Sequence, residues 1–177
     1  MGDPTRVYAD RRVLVDIEQL FSATITAVPR LFGDTLRWAE AVDGASVTLR
    51  GGARLSTFLV DHEPAGGGAR GCLVEQGGTR LVYSGDTRPT ERLIEAARGA
   101  DILIHESGGL DANAAEVHRP GHSTAGDAGR VAAAAGVRRL ILTHLPSDPL
   151  AAPMLDEARA AFGGPVDLAA DLALIDI

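Results

Sequence analysis

A chain of 177 residues can form one domain with a sizeable core, and its 45% apolar and 23% charged residues exclude a disordered or collagen-like protein. The net charge of −7 argues against capture of nucleic acid by a broad basic surface, although all 17 basic residues are arginine, which binds phosphate well. A single cysteine excludes an internal disulfide, no apolar run is long enough to span a membrane, and Met1–Pro4 lacks signal-peptide character, so we expect a cytoplasmic protein.

The first half of the chain is predicted to consist of strands and tight turns, with one helix. Asp10 is typical of an N-cap, and apolar residues then recur at helical spacing, namely Val13, Leu14, Ile17, Leu20 and Phe21. Asp43-Gly44 and Gly77-Gly78 each favour a hairpin. The predicted strands are Thr5–Ala9, Thr35–Ala41, Ala45–Leu49, Leu55–Val60, Cys72–Glu75 and Thr79–Tyr83.

In the second half, helices and strands alternate. Three helices are predicted, from Thr90 to about Arg98, from Thr124 to Ala135, and from Pro153 to about Gly163. The strands between and after them are Asp101–Ile104, Arg139–Leu142, Val166–Leu168 and Leu172–Ile177, and a polar loop spans Ser107–Gly121. Hairpins followed by βα units predict an α/β domain with a mixed sheet.

Four of these strands end in residues that can bind a metal or move a proton. Their apolar cores continue into Asp61-His62, Ser84-Gly85-Asp86-Thr87, His105-Glu106 and Thr143-His144. Ligands of α/β sheets gather beyond the carboxyl ends of the strands, so these side chains converge if the strands pair. Imidazole and carboxylate together suit Zn²⁺, Mn²⁺ or Fe. One such case is more often a turn residue or a hydrogen-bonded histidine, but four in a short chain favour a metal site.

A fifth candidate is the segment Gly121-His122-Ser123-Thr124, which lies just before a predicted helix. Ser123 or Thr124 can cap that helix, and His122 can then face an anion beside the helix N-terminus. Taken alone, simple packing of His122 within its loop is the more common outcome.

Five segments together resemble a known family. TFLVDH, VYSGDTRP, ADILIHE, GHSTAGDAG and LILTHL occur in the order and with the spacing of the metallo-β-lactamase superfamily. Within it, the chain resembles the ribonuclease Z branch, with its arylsulfatase and phosphodiesterase relatives. The resemblance extends from Leu55 to the C-terminus, and more weakly back to Val7-Tyr8. It implies half or more of a four-layer αββα sandwich, with a mixed sheet and helices mainly on one face.

The resemblance also implies roles for five residues. His62 resembles a ligand of one metal, Asp86 the carboxylate that bridges two metals, and His144 a ligand of the second metal. His122 resembles the catalytic histidine that assists phosphate hydrolysis, and Glu106 a carboxylate that orients an imidazole. In the family, two metals, Zn²⁺ with Mn²⁺ also possible, clamp a phosphodiester and activate water. The implied function is metal-dependent hydrolysis of a phosphodiester or another ester.

The family signature His-x-His-x-Asp-His, which supplies further ligands and the general base, is absent from the sequence. None of the five histidines forms a His-x-His pair. We therefore expect residues 1–177 to form a single, N-terminally incomplete domain with an incomplete two-metal site. A truncated enzyme, a degenerate non-catalytic domain and a domain that needs a partner chain all stay open. The sheet face that the other half covers in the family should expose apolar surface, which favours a homo-oligomer.

Transfer RNA is a possible but not a favoured substrate. Only 23 residues separate His62 from Asp86, too few for the arm with which ribonuclease Z proteins often grip tRNA. The segment Leu145–Pro149 also differs from the aromatic and basic ending common in tRNA-processing enzymes. A smaller phosphodiester or another ester fits these departures better.

Four further polar residues have weaker claims to the site. Arg88 and Arg119 lie in loops from which they could touch a substrate phosphate, although solvated loop arginines are more frequent. His118 is predicted to be solvated beside Arg119. His105 should point to the opposite face of its strand from Glu106, because neighbouring residues of a strand alternate.

Overall fold

The computed structural model describes residues 5–24, 36–62, 68–146 and 150–176. Contacts between Cα atoms group the chain into two compact units, Met1–Ala45 and Ser46–Ile177. The first unit contains β1 (Thr5–Ala9), α1 (Arg11–Thr24) and β2 (Leu36–Glu40), and β1 pairs in parallel with β2. Among the described helices, none has the length and apolar character needed to cross a bilayer.

Helix α1 begins at the predicted cap. The carboxylate of Asp10 accepts a hydrogen bond from the amide of Arg12 at 3.0 Å, and its carbonyl accepts one from the amide of Leu14. On the predicted apolar face, Leu14 and Ile17 are partly buried, whereas Val13 is exposed. The side chains of Leu20 and Phe21, predicted for the same face, lie outside the described residues.

The hairpin predicted at Asp43-Gly44 is wrong. A turn does form there, and Gly44 adopts a φ of 72°. However, β2 before the turn pairs with β1, while β3 (Ser46–Thr48) after the turn pairs with the next strand of the second unit. A two-residue turn signal specifies the local backbone but not the strands that pair on either side of it.

The second unit is built on a seven-stranded mixed sheet, which confirms the predicted α/β class. Its strands lie in the order β3 to β9, so each pairs with its neighbour in sequence. Strands β3 to β6 are antiparallel, with the predicted Gly77-Gly78 hairpin between β5 and β6, and β6 to β9 are parallel. After β3, the strands are β4 (Arg54–Leu59), β5 (Arg70–Gln76), β6 (Thr79–Tyr83), β7 (Ile102–Glu106), β8 (Arg139–Thr143) and β9 (Val166–Leu168).

Helices cover one face of this sheet. Helix α2 (Glu91–Ala97) connects β6 to β7, α4 (Ala125–Ala135) precedes β8, and α5 (Ala151–Phe162) connects β8 to β9. Helix α4 packs against α2 and α5, and the buried core joins these helices to inward residues of the strands such as Val82, Leu103 and Leu140. Gly129 allows the α4–α5 crossing, because a Cβ there would lie 2.6 Å from the Ala158 carbonyl oxygen.

Two further predictions need correction. The polar loop Ser107–Gly121 contains a 3₁₀ turn at Asp111–Asn113 and the short helix α3 (Ala114–His118), because the Ala-Ala-Glu sequence favours helix. The strand Leu172–Ile177 does not form in its described part, residues 172–176. Leu172 has a φ of 61° and is fully exposed. The apolar residues of this segment alternate, but no neighbouring strand of the described chain pairs with it.

The sheet face opposite the helices is less buried. Leu55, Val74 and Leu81 are aligned across β4 to β6 by the strand register, and each is only partly buried. In β7, the Leu81 partner Ile102 is buried, whereas Ile104, the partner of Tyr83, is partly buried. On the same face, Tyr83 is 37% exposed. The structure therefore carries a partly exposed apolar row on this face.

His105 lies on the helix-covered face and is fully buried. Its Nδ1 donates a hydrogen bond to the Glu106 carbonyl at 2.7 Å, whereas Nε2 has no partner among the described residues. Burial lowers the pKa of His105 to about 4, so the ring is neutral at pH 7. The prediction that His105 points away from Glu106 is consistent with this position.

This burial predicts a pH-dependent stability. Between pH 6.5 and 4, His105 is protonated in the unfolded chain but stays neutral in the folded chain. The free energy of unfolding should therefore fall by about 3 kcal/mol as the pH decreases through this range. His105→Asn keeps a donor for the Glu106 carbonyl and removes the titration. Urea denaturation from pH 7 to 5, followed by circular dichroism, should give a flatter pH profile for this variant. Parallel profiles would show that His105 does not carry the effect.

Candidate metal centre

The topology brings four strand ends to one rim of the sheet. Strands β6, β7 and β8 are parallel, and β4 runs in the same direction because it is antiparallel to β5, which is antiparallel to β6. Their carboxyl ends therefore deliver His62, Asp86, Glu106 and His144 to the same edge. His122 reaches this edge from the loop before α4.

His62 follows β4 and is held by the loop that precedes α4. Its Nδ1 donates a hydrogen bond to the Gly121 carbonyl at 3.0 Å, which leaves Nε2 as the ring nitrogen available to a metal. The rings of His62 and His122 meet edge to face with centroids 4.9 Å apart. The backbone carbonyl thus fixes both the orientation and the tautomer of His62.

Asp86 follows β6 after a tight turn. Gly85 makes this turn, since its φ is 64° and a Cβ there would lie 2.5 Å from the Arg70 carbonyl oxygen. One ligand atom each from Asp86, His62 and His122 lies within 4.8 Å of the other two. The Asp86 side chain is 34% exposed, so its carboxylate is open to solvent and to ligands.

His144 follows β8 with an unusual backbone. Its φ is 56°, a left-handed conformation that costs a non-glycine residue about 1 kcal/mol. Its Nε2 lies 3.9 Å from Oδ2 of Asp86, and its ring stacks on His122 with centroids 5.3 Å apart. His144, a predicted ligand, therefore lies beside Asp86 and His122. The described group whose ligand atoms all lie within 4.8 Å of one another contains His122 in its place.

Glu106 lies beneath these residues and is fully buried. Its Oε1 accepts hydrogen bonds from the amides of Thr87 and Ser123, at 2.9 and 3.0 Å, and from Nδ1 of His122 at 3.1 Å. Its backbone amide donates to the hydroxyl of Ser84. Glu106 thus joins the segments that follow β6 to the loop that carries His122.

Burial is the largest cause of the pKa shift of both Glu106 and His122. Burial raises the pKa of Glu106 to about 7, although the hydrogen bonds from the amides of Thr87 and Ser123 act to lower this pKa. Burial also lowers the pKa of His122, so its imidazole is neutral at pH 7. When Glu106 is protonated, it can donate to Nδ1 of His122, and the Nε2–H of the ring can then donate to a phosphate. When Glu106 is ionised, Nδ1 carries the proton, and the lone pair of Nε2 is available to a metal. The pair can therefore serve either chemistry.

The loop around His122 is anchored by residues that the sequence interpretation missed. Arg130 forms a bidentate pair with Asp111, at 2.8 and 2.9 Å, and also bonds Asp127 at 2.8 Å. Thr124 and Asp127 form a capping box at the start of α4. The sequence predicts the Thr124 cap, and the Thr-x-x-Asp spacing could also have indicated Asp127. Asp111 and Arg130 could not be recognised, because they meet only through the fold.

The residues with weaker claims to the site, Arg88, His118 and Arg119, make contacts that hold the surrounding loops. The guanidinium of Arg88 forms an ion pair with Asp61 at 3.2 Å and donates to the carbonyls of His118 and Arg119. His118 is not simply solvated, because its Nε2 contacts the Asp127 carboxylate. Arg119 contributes its backbone carbonyl to this cluster and is itself exposed.

The donor set fits a divalent transition metal. His62 and His122 both use Nδ1 for a hydrogen bond to an oxygen, the arrangement typical of histidines that bind zinc through Nε2. Asp86 supplies a negative charge beside them, and His144 adds a third imidazole. Imidazole and carboxylate donors of this kind suit Zn²⁺ and Mn²⁺.

Comparison with known proteins decides the family. Residues 2–145 match the family described as the beta-lactamase superfamily domain. The chain belongs to this superfamily. The family indicated by the sequence motifs is thereby confirmed, and a metal-binding fold with it.

Several relatives carry the name ribonuclease Z. The enzyme of that name from Myxococcus xanthus is 49% identical over 96 residues, which cover 53% of this chain and 31% of the relative. The one from Methanothermobacter thermautotrophicus is 45% identical over 103 residues, or 56% of this chain and 33% of the relative. The chain thus spans about a third of the length of these relatives.

Solved structures show the same fold at lower identity. The metallo-beta-lactamase fold protein YhfI from Bacillus subtilis has a TM-score of 0.73 and 24% identity, with 93% of this chain and 61% of YhfI covered. Zn²⁺-bound PqqB from Methylobacterium extorquens has a TM-score of 0.72 and 20% identity, with 98% and 65% covered. The superfamily metallo-β-lactamase fold is therefore shown for this chain.

Proposed function

We propose that this chain carries part of the site of a metal-dependent phosphodiesterase related to ribonuclease Z. The observation that carries the proposal is the group of His62, Asp86 and His122, whose ligand atoms lie within 4.8 Å of one another, with His144 beside Asp86. A bound Zn²⁺ or Mn²⁺ supplies Lewis-acid activation of the phosphate and of water. The family's two-metal site is only partly represented among these residues.

In this proposal the five residues divide into three roles. His62, Asp86 and His144 would hold the metal, as the family resemblance implies, although the geometry alone groups His122 with His62 and Asp86. His122 contacts a phosphate oxygen and passes a proton to the leaving oxygen, while Glu106 keeps the ring oriented through its contact at 3.1 Å. Four of these side chains are partly exposed or exposed, so a phosphate ester can reach them.

Zinc titration tests this division of roles. His144→Ala should weaken zinc binding more than about 10-fold, because one imidazole ligand is lost. His122→Ala should leave zinc affinity within about 3-fold if His122 acts on the substrate. Isothermal titration calorimetry on the 177-residue chain measures both values, with circular dichroism as the control for folding. An equal loss in both variants would make His122 a ligand instead.

We expect the isolated chain to hydrolyse bis(p-nitrophenyl) phosphate weakly or not at all. The sequence offers three ligands where the family's two metals use about seven, and loss of a general base alone costs about 10²–10⁴-fold. The assay is turnover with added Mn²⁺ or Zn²⁺, with His144→Ala as the control variant. Robust turnover that His144→Ala abolishes would show that the missing signature is dispensable.

A second candidate function is a degenerate, non-catalytic metallo-β-lactamase-like domain, or one that needs a partner chain. It is favoured by one observation, the lack of a His-x-His pair among the five histidines. Failure of zinc to bind at all would select the non-catalytic alternative. Zinc binding that supports turnover only after addition of a chain carrying His-x-His-x-Asp-His would select the partner alternative.

The remaining expectations stay part of the proposal. The substrate is a phosphodiester or another ester, and tRNA is possible but not favoured. A cytoplasmic location and a homo-oligomer are also proposed, the latter supported by the partly exposed side chains of Leu55, Val74, Leu81 and Ile104 on one face of the sheet. Sedimentation of the purified chain tests the oligomer, and a monomer at all concentrations would contradict it.

A further inference from the structure

A pocket of about 320 Å³ opens directly beside His122. Five of its lining side chains are apolar, namely Leu110, Val117, Pro120, Pro146 and Leu150. Leu110 and Leu150 also pack against the buried core, so the wall of the pocket is supported from behind. The pocket is thus a built feature of the second unit, and it shares one side chain, His122, with the candidate metal centre.

Two glycines allow the loop after β7 to lie close to His122 and Val117. A Cβ at Gly108 would lie 3.2 Å from Cβ of His122, and a Cβ at Gly109 would lie 2.8 Å from Cγ2 of Val117. Larger residues would therefore push the wall away from His122. Because His122 itself lines the pocket, a group bonded to a phosphate at His122 can enter the space beside the apolar wall.

The charge of the lining selects what can enter. Among the described residues that line the pocket, Glu116 is the one carboxylate and none is arginine. The guanidinium of Arg88, in the neighbouring loop cluster, is committed to Asp61 and to two backbone carbonyls. Arg119 precedes the lining residue Pro120 and is exposed, outside the lining of the pocket. A further phosphate inside the pocket would meet the Glu116 carboxylate and five apolar side chains, with no arginine among the lining residues, so the interior of the pocket disfavours a polynucleotide. Its volume, near the lower end for ligand pockets, suits a single ring or a short alkyl group.

We propose that this pocket binds an uncharged aryl or alkyl group that is esterified to the phosphate held at the metal centre. The proposal deepens the proposed function, on which it rests, and makes the substrate a small phosphodiester with one apolar alcohol. In hydrolysis the water oxygen bonds to phosphorus and the bond between phosphorus and the ester oxygen breaks. The released alcohol takes one proton by way of His122, and the products are a phosphomonoester and the apolar alcohol.

The first test needs neither metal nor turnover. Phenol is titrated into the metal-free chain, and amide shifts are followed by ¹H–¹⁵N NMR. Shifts concentrated at Gly108, Leu110 and Val117 are expected. Asn113→Trp, which fills the mouth of the pocket from an exposed position, should abolish them. Ala115→Trp, exposed in the adjoining helix α3 but outside the lining, is the matched control and should leave them unchanged. Scattered shifts, or equal effects of both variants, would overturn the pocket assignment.

The second test uses the zinc-loaded chain and two phosphonates that cannot be hydrolysed. Phenylphosphonate should bind at least about 10-fold more tightly than methylphosphonate, because the ring leaves water for an apolar wall. Asn113→Trp should remove this preference and keep methylphosphonate affinity, while Ala115→Trp should keep both. Equal affinities of the two phosphonates in the wild-type chain would overturn the proposal. If zinc fails to bind, the proposed function fails, and the phenol titration still decides the pocket.

The charge argument has its own probe. 4-Carboxyphenylphosphonate carries a carboxylate into the region of Glu116, and it should bind more weakly than phenylphosphonate by at least about 5-fold. Glu116→Gln should narrow this difference without changing phenylphosphonate affinity, because Glu116 is exposed and stands outside the metal centre. Tighter binding of the carboxylated ligand in the wild-type chain would mean that the pocket accepts anions.

Discussion

Replacing Asp86 by asparagine should lower the zinc affinity of the chain by more than about 100-fold. Asp86 is the only carboxylate in the described His62, Asp86 and His122 group, so its loss leaves neutral imidazoles to hold a divalent cation. The effect should exceed the 10–100-fold typical of changes to residues that merely orient ligands. Competition with a zinc-sensitive chelating dye measures the two dissociation constants directly.

Asp61→Asn is the matched control for this experiment. It removes the same charge one residue before His62, from a side chain that forms an ion pair with Arg88. Zinc affinity should change by less than about 5-fold, because the Asp61 carboxylate stands outside the ligand group. If Asp61→Asn costs as much as Asp86→Asn, the general negative potential of the region binds the metal, and the proposed ligand set is wrong.

Replacing Glu106 by leucine should destabilise the fold by about 3 kcal/mol. The substitution leaves the amides of Thr87 and Ser123 buried without their acceptor and removes the partner of His122. Glu106→Gln retains an acceptor oxygen of the same shape, so it should cost about 1 kcal/mol. Urea denaturation at pH 7, followed by circular dichroism, compares the free energies of unfolding.

A second measurement distinguishes a positioning role of Glu106 from a purely structural one. The ring ¹⁵N signals of His122 report its tautomer, and Glu106→Gln should shift the population between Nδ1–H and Nε2–H while the fold is kept. Unchanged ring signals in a folded Glu106→Gln variant would mean that Glu106 supports only the backbone. A smaller destabilisation by leucine than by glutamine would contradict the hydrogen-bonding account.

The sequence was sufficient to predict which residues meet at the rim. His62, Asp86 and His144 each follow an apolar strand, and parallel strands necessarily present their carboxyl ends together. The prediction did assume that these strands pair and run in the same direction. Strand β4 meets this condition because it is antiparallel to β5, which is antiparallel to β6. Helix ends were equally accessible, since Thr90 and Thr124 cap their helices as their residue types favour.

Features that depend on tertiary partners escaped prediction. Asp43-Gly44 predicted a turn, but the competing parallel pairing of β1 with β2 decided which strands met. The alternation in Leu172–Ile177 resembled a strand, yet a strand forms only where a neighbour offers its backbone. The pocket beside His122 and the Asp111–Arg130 pair join segments distant in sequence, so no local pattern could reveal them.

The left-handed backbone of His144, with its φ of 56°, sets stability and metal binding against each other at one position. Glycine would relieve this conformation, so selection for a more stable chain would tend to discard the histidine. Selection for the metal centre would keep it. Within any set of diverging copies of this protein, position 144 should therefore be an early indicator of lost function, changing to glycine or asparagine once the metal no longer matters. A copy that retains histidine at position 144 while its surface residues change is still under selection for the metal centre.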